Sequence, residues 1–234
     1  MGEIKISNEM CVIEQIIEAY TNVTGENIIM DNEQEQNSTR SRKFVEYIRK
    51  NLSENKSTIF NESNNVEIFA ITKHNEDFRR SEFLFDVHAC EIGTVKSIDP
   101  NQNKIIPFIK KSLIQIESEF GNETFDFTID ISKLVCGISD MKVIILPIPE
   151  KNKVRFFQVI KTICENIKGS VYLVLLERPA SWFRMNRGRY IIHNRKYEIY
   201  KLETRESIQQ LEHESSKWKL LNRKNISFTI MNTN

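Results

Sequence analysis

Two alternating stretches carry acids that could act together. In residues 82–92 (EFLFDVHACEI), strand alternation sets Glu82, Leu84, Asp86, His88 and Cys90 on one face and Phe83, Phe85, Val87 and Ala89 on the other. In residues 113–120 (LIQIESEF), Gln115, Glu117 and Glu119 share a face opposite Ile114, Ile116 and Phe120. If the two strands are neighbours with their polar faces on the same side, Asp86, Glu117 and Glu119 converge. Packed carboxylates raise one another's pKa unless a cation intervenes. Hard oxygen ligands of this kind suit Mg²⁺ or Mn²⁺. Such an ion binds phosphoryl oxygens, lowers the pKa of a bound water and stabilises a departing oxygen, which is the chemistry of phosphodiester hydrolysis. The competing reading of the same acids is the solvated polar face of an edge sheet.

The surrounding periodicities supply the elements that must position these residues. Met10, Ile13, Ile16, Ile17 and Tyr20 recur at helical spacing after a cap at Ser7 or Asn8. The polar stretch 21–39 reads as a loop, residues 38–52 as a second helix and 53–65 as a polar linker. Residues 66–72 (VEIFAIT), 82–92 and 113–120 read as three strands, with a sizeable insertion looping out between the second and third. A helix is expected over 129–137, capped by Asp130. Residues 141–148 (MKVIILPI) have the near-continuous apolarity of a strand covered on both faces. A helix over 151–168 with Gly169 at its C-cap, a buried strand over 171–176, a hairpin turning at Asn194–Arg195 and a helix over 207–221 complete the chain. The expectation is one α/β domain over 1–234: a mixed β-sheet flanked by helices, with its core at about 38–178, an N-terminal helix, and a C-terminal hairpin and helix in a basic extension over 182–234.

The order α-β-β-β-α-β, with an acid on the second strand and E-x-acid on the third, resembles the PD-(D/E)XK, or restriction-endonuclease-like, nuclease superfamily. The segments SEFLFD (81–86), IESEFG (116–121) and DISKL (130–134) are also similar to a motif set in uncharacterised bacterial proteins. The resemblance covers about residues 40–150. It implies catalytic, metal-binding roles for Asp86 and Glu117, with Glu119 at the position usually held by lysine. It implies that Lys133, on the following helix, supplies the missing ammonium, assisting the attacking water or neutralising developing charge. Glu46 is a weaker candidate for the acid often present on the helix before the sheet; Glu82 and His88 would stand behind Asp86. The cofactor implied is Mg²⁺ or Mn²⁺, the substrate DNA, and the setting a bacterial cytoplasmic homodimer or larger restriction or anti-phage defence complex. The superfamily also includes members that have lost activity, so a non-catalytic binding or assembly subunit is the alternative it implies.

Residues 184–205 hold seven Arg or Lys against two Glu, and 217–224 add four more around Trp218. Such side chains make most backbone contacts to nucleic acid. Arg184, Arg187, Arg189, Arg195 and Lys196 are the candidates, against the simpler reading of a solvated charged surface.

The remaining composition mainly excludes. Lys and Arg number 33 against 32 Asp and Glu, so no histone-like excess of base exists, although its placement is uneven. With only 7 glycines there is no GxxxxGK[ST] loop, no GxGxxG after a strand and no GxSxG elbow, which argues against an ATPase, a dehydrogenase and a typical serine hydrolase. HExxH is absent. The four cysteines (Cys11, Cys90, Cys136, Cys164) form no CxxC pair and are expected to be buried thiols in a reducing compartment. No secretory signal, myristoylation signal (Ile6 stands where Ser or Thr is needed) or membrane span is expected.

Overall fold

The structure, a computed structural model, describes residues 3–25, 33–62, 64–70, 84–98, 104–121, 124–182, 184–186, 189–191, 196–202 and 219–220. Helices α1 (Glu9–Gly25), α2 (Glu33–Glu54) and the single turn α3 (Lys56–Ile59) precede strands β1 (Val66–Ala70), β2 (Val87–Lys96) and β3 (Ile105–Ser118). Then follow α4 (Thr124–Cys136), β4 (Met141–Pro147), α5 (Lys153–Cys164) and β5 (Ser170–Leu176). Short strands β6 (Arg184–Asn186), β7 (Arg189–Ile191), β8 (Tyr197–Leu202) and β9 (Lys219–Leu220) end the order.

One mixed sheet runs β1-β2-β3-β4-β5-β8-β9. Its three central strands β3, β4 and β5 are parallel, and the flanking pairs on both sides are antiparallel. Helices cover both faces, so alternate residues of one strand enter two different cores. Val143 and Ile145 of β4 join Ile16, Phe44 and Ile48 of α1 and α2. Ile144 and Leu146 join Ile131 and Leu134 of α4 and Ile160 of α5. Burial of each such side chain contributes about 1.5–3 kcal/mol, which is why MKVIILPI is apolar at nearly every position. Among the described residues no helix is long and apolar enough to cross a membrane.

Several boundaries differ from expectation for identifiable reasons. Much of the polar stretch 21–39 is helical at both ends, because Val23 carries the buried face of α1 one turn further and α2 opens on the strong helix formers EQEQ. Asn8, rather than Ser7, caps α1, its side chain accepting from Cys11 N at 3.0 Å. Helix α4 starts five residues earlier than expected, so Asp130 lies inside it and is not its cap, and Lys133 falls in its last turn. Helix α5 ends at Cys164; Gly169, at φ +91°, instead turns the chain into β5. Cys11, Cys90 and Cys164 are buried, whereas Cys136 is exposed.

Among the described residues, most of the span expected as an insertion is strand, because β2 and β3 are both long. Beyond the reach of β1 and β4, residues 92–96 and 105–109 continue the antiparallel ladder as a two-stranded ribbon. Val95, Ile98, Ile105, Ile106 and Phe108 are exposed along it, and the Phe108 ring lies over Gly93, whose missing Cβ would stand 2.5 Å from Phe108 Cζ.

The expected hairpin about Asn194–Arg195 is replaced by other pairings. Strand β7 pairs with β6, and β8 docks between β5 and β9, where Ile199 and Leu202 are buried in the two cores. Residues 192–195 themselves lie outside the described residues. So does most of the helix expected over 207–221; within that span, Lys219 and Leu220 are extended and pair with β8.

Candidate functional site

Glu117 projects from β3 on the side covered by α4 and is almost fully buried, as is Gln115, while Ile114 and Ile116 enter the opposite core. The alternation expected for β3 therefore holds. That of β2 does not extend back to Asp86. Leu84 adopts φ 71°, a left-handed conformation rare for leucine, and leaves its side chain exposed. The strand starts only at Val87. As a result Phe85 joins the core under α4 and packs edge-on against the His88 ring at 5.2 Å, rather than sharing the face of Val87 and Ala89.

The turn at Leu84 delivers Asp86 to the end of β3. Its Oδ2 accepts from Ser118 N at 2.9 Å and from Ser118 Oγ at 2.6 Å. Glu117 is the adjacent residue. Its Oε2 lies 3.5 Å from Lys133 Nζ, and Lys133 in turn holds Asp130 Oδ1 at 2.6 Å. Glu119, just past β3, accepts from Gly121 N, and Asp130 and Asp126 face it. Asp86, Glu117, Glu119, Asp126 and Asp130 thus gather beside one ammonium, Lys133.

The electrostatics follow from that crowding. Burial, the Asp86 charge and Asp130 push the Glu117 carboxyl up to about 9 despite Lys133. Burial also raises Asp86, with the Asp130 charge, against the two bonds from Ser118. Glu119 is raised by burial and by its Asp130 and Asp126 neighbours. Burial opposes the Lys133 ammonium, but Asp130 and Glu117 outweigh it and raise its pKa. Glu117 Oε1 is buried without a hydrogen-bond partner. A buried, orphaned carboxylate oxygen beside a second carboxylate is the arrangement a divalent cation would relieve. The oxygen-only donor set fits Mg²⁺ or Mn²⁺. Among the described residues, however, no three His, Cys, Asp or Glu side chains are grouped closely enough to hold a metal as they stand.

Behind Glu117 on the same face lies a polar layer, of which alternation flags His88 and Gln115 but not Lys142. Register places His88, Gln115 and Lys142 side by side across β2, β3 and β4. His88 Nε2 and Gln115 Nε2 both reach Ser112 Oγ, at 2.7 and 3.1 Å, and Lys142 Nζ donates to the Lys168 carbonyl at 2.9 Å. Burial lowers His88 to about 4 and Lys142 to about 8.

The sequence candidates therefore separate. Asp86, Glu117, Glu119 and Lys133 come together. Glu46 is gripped by Arg49 in a two-bond fork on α2, and Glu82 lies outside the described residues. Of the basic candidates, Arg184 lies in β6, Arg189 in β7 and Lys196 is exposed before β8; Arg187 and Arg195 lie outside the described residues. Asp126, Asp130 and Ser118 are additional members. The i, i+4, i+7 spacing of Asp126, Asp130 and Lys133 marks one helix face and was available as a signal. In comparisons with known proteins, no family model, no curated protein and no solved structure matches the chain.

Proposed function

We propose that the chain is a metal-dependent nuclease that hydrolyses phosphodiester bonds in DNA. The observation that carries this reading is Glu117: a buried carboxylate with one unpartnered oxygen, next to Asp86 and in reach of Lys133. Asp86, Glu117 and Glu119, which are not grouped closely enough to ligate as they stand, would have to draw together to hold Mg²⁺ or Mn²⁺, which when bound would supply a Lewis acid and a water of lowered pKa. The chain's own groups do the positioning. Ser118 fixes the Asp86 carboxylate through two bonds. Asp130 holds the Lys133 ammonium within 3.5 Å of Glu117, where it can orient a water or offset charge developing on a phosphoryl group. Glu117 must release its proton before it can ligate a cation, so metal uptake should liberate protons. The likeness in strand order and motifs to restriction-endonuclease-like nucleases supports the same reading, and the proposal includes a role in a bacterial cytoplasmic defence system, as a homodimer or within a larger complex.

Plasmid cleavage in Mg²⁺ or Mn²⁺ by the wild type and by Glu117→Ala tests it. Cleavage by the wild type and its loss in the variant is the expected result; equal cleavage assigns the activity elsewhere. One observation favours a second reading, the same fold as a non-catalytic binding or assembly subunit. Lys133 already partners both Glu117 and Asp130, so the site carries an internal counter-ion of its own. On that reading neither ion supports cleavage by the wild type.

A further inference from the structure

We propose that Arg178 is a phosphate-gripping residue of this site, taking a non-bridging oxygen of the DNA backbone beside the carboxylates; this rests on the nuclease reading. The parallel strands β3, β4 and β5 end along one edge of the sheet, which is where open α/β sheets bind their ligands. Glu119 and Gly121 leave that edge from β3, and Arg178 leaves it from β5. The Arg178 guanidinium crosses to the β3–α4 turn, its Nη1 lying 3.5 Å from the Gly121 carbonyl, while Gly121 N holds Glu119. The guanidinium thus touches the residue whose amide holds Glu119.

Two further facts distinguish Arg178 from an ordinary surface arginine. Its backbone is anchored on both sides. The preceding Glu177 carbonyl accepts from Trp182 Nε1 at 2.6 Å, the Arg178 carbonyl accepts from Ser181 N at 2.8 Å, and the following Pro179 carbonyl accepts from the buried Arg40 at 2.9 Å. Trp182 itself packs edge-on against Tyr20, Phe44 and Phe120. Second, among the described residues no carboxylate lies within ion-pair distance of Arg178, although Glu119 and Asp126 both flank the turn it touches. Lys133 is tied to Asp130 and Glu117, whereas the Arg178 fork has one long bond and donors to spare. A guanidinium with open donors, held by a rigid backbone at the lip of an acidic site, matches a phosphodiester bidentately. It would offset the repulsion between that anion and the carboxylates.

The test is binding of a short fluorescein-labelled blunt DNA duplex by the full chain in EDTA, by anisotropy, across a KCl series. Wild type, Arg178→Gln and Arg178→Lys are compared, with the thermal midpoint of each. Arg178→Gln is expected to weaken binding about tenfold and to lower the slope of log Kd against log salt by about 0.9, the loss of one phosphate contact. Arg178→Lys is expected to keep the slope and lose part of the affinity, since the charge stays and the fork goes. Wild-type affinity and slope in Arg178→Gln would overturn the proposal; should that variant fail to fold, wild-type affinity in Arg178→Lys does so. If the wild type cleaves DNA while both variants bind normally, only Arg178 is excluded. If the wild type neither binds nor cleaves, the nuclease reading falls and this inference falls with it.

Discussion

Ser118 and Asp86 are joined by two hydrogen bonds to a single oxygen, so the residue between Glu117 and Glu119 anchors the acid that precedes β2. Removing the hydroxyl should loosen Asp86 without emptying the core. For Ser118→Ala we expect a loss of about 1 kcal/mol in urea unfolding, the scale of one partly exposed bond to a charged group. On the nuclease reading proposed above, cleavage should fall further than stability does, because Asp86 loses its fixed orientation. Cleavage at the wild-type rate would show that the backbone bond alone positions it.

Glu117 sets a pH signature in the metal-free protein. Its carboxyl is raised from 4.5 to about 9 on folding. Below about pH 4.5 both folded and unfolded states hold the proton. Above it the unfolded chain releases the proton while the folded one retains it, so this residue's contribution to stability is lost as pH rises towards about 9. Glu117→Gln should remove that fall. The difference in thermal midpoint, variant minus wild type, should grow from pH 5 to pH 8. Adding Mg²⁺ at pH 8 should raise the midpoint of the wild type but not of the variant, and EDTA should reverse the gain. A midpoint difference that is flat across this range would mean Glu117 ionises normally.

Lys142 carries the opposite sign. Burial lowers its pKa from 10.5 to about 8. Below about pH 8 the folded protein bears the full cost of a buried ammonium; as pH rises from about 8 to 10.5 that cost is relieved, because the unfolded chain then binds the extra proton. Lys142→Met should stabilise the fold at pH 7 by an amount on the order of 1 kcal/mol, after allowing for the lost bond to the Lys168 carbonyl. Guanidinium unfolding at pH 7 and pH 10 measures this, and the gain should shrink at the higher pH. Destabilisation at pH 7 would show that the capping bond outweighs the desolvation.

Gly169 is required by both conformation and space. At φ +91°, with the Ser139 and Asp140 carbonyls 2.7 and 2.8 Å from where a Cβ would sit, an alanine is strained and in contact with backbone that has little room to shift. Gly169→Ala should cost roughly 1–3 kcal/mol in chemical denaturation. A neutral result would mean that this turn relaxes freely.

The comparison of sequence with structure is instructive residue by residue. The pattern of Ile114 and Ile116 against Gln115 and Glu117 was legible because period-2 alternation survives wherever the strand is regular. The place of Asp86 beside the β3 acids was legible but not its geometry. Leu84 takes a left-handed turn without the glycine that would announce it, which moved Phe85 to the other core. Lys133 stands out in the sequence, yet its partner Asp130 reads as a cap, because helix starts are less sharply encoded than helix faces. Lys142 inside an apolar strand and Arg178 beyond β5 gave no local signal. Their roles arise from elements that meet only once the sheet is assembled. Nothing in the isolated ribbon sequence marked it as strand rather than insertion, since KIIPFIKK mixes apolar and basic residues without clean alternation.

That ribbon also bears on how the protein behaves at high concentration. Residues 93–96 and 105–109 present strand edges with no neighbour among the described residues, and exposed aliphatic side chains run beside them, the combination that templates intermolecular pairing. Residues 93–98 and 104–109 contain Lys96 and Lys104 and no acid, and Pro107 interrupts the row of amide donors, while Lys110 and Lys111 are already paired with Glu91 and with Asp140 and Glu3. Two ribbons meeting edge to edge would oppose like charges, so the lysines act as gatekeepers against fibre-like stacking. This protection is electrostatic and therefore screened. Self-association measured by light scattering should be low at low ionic strength and should rise as salt is added, the reverse of the dependence expected for DNA binding at the other end of the same two strands.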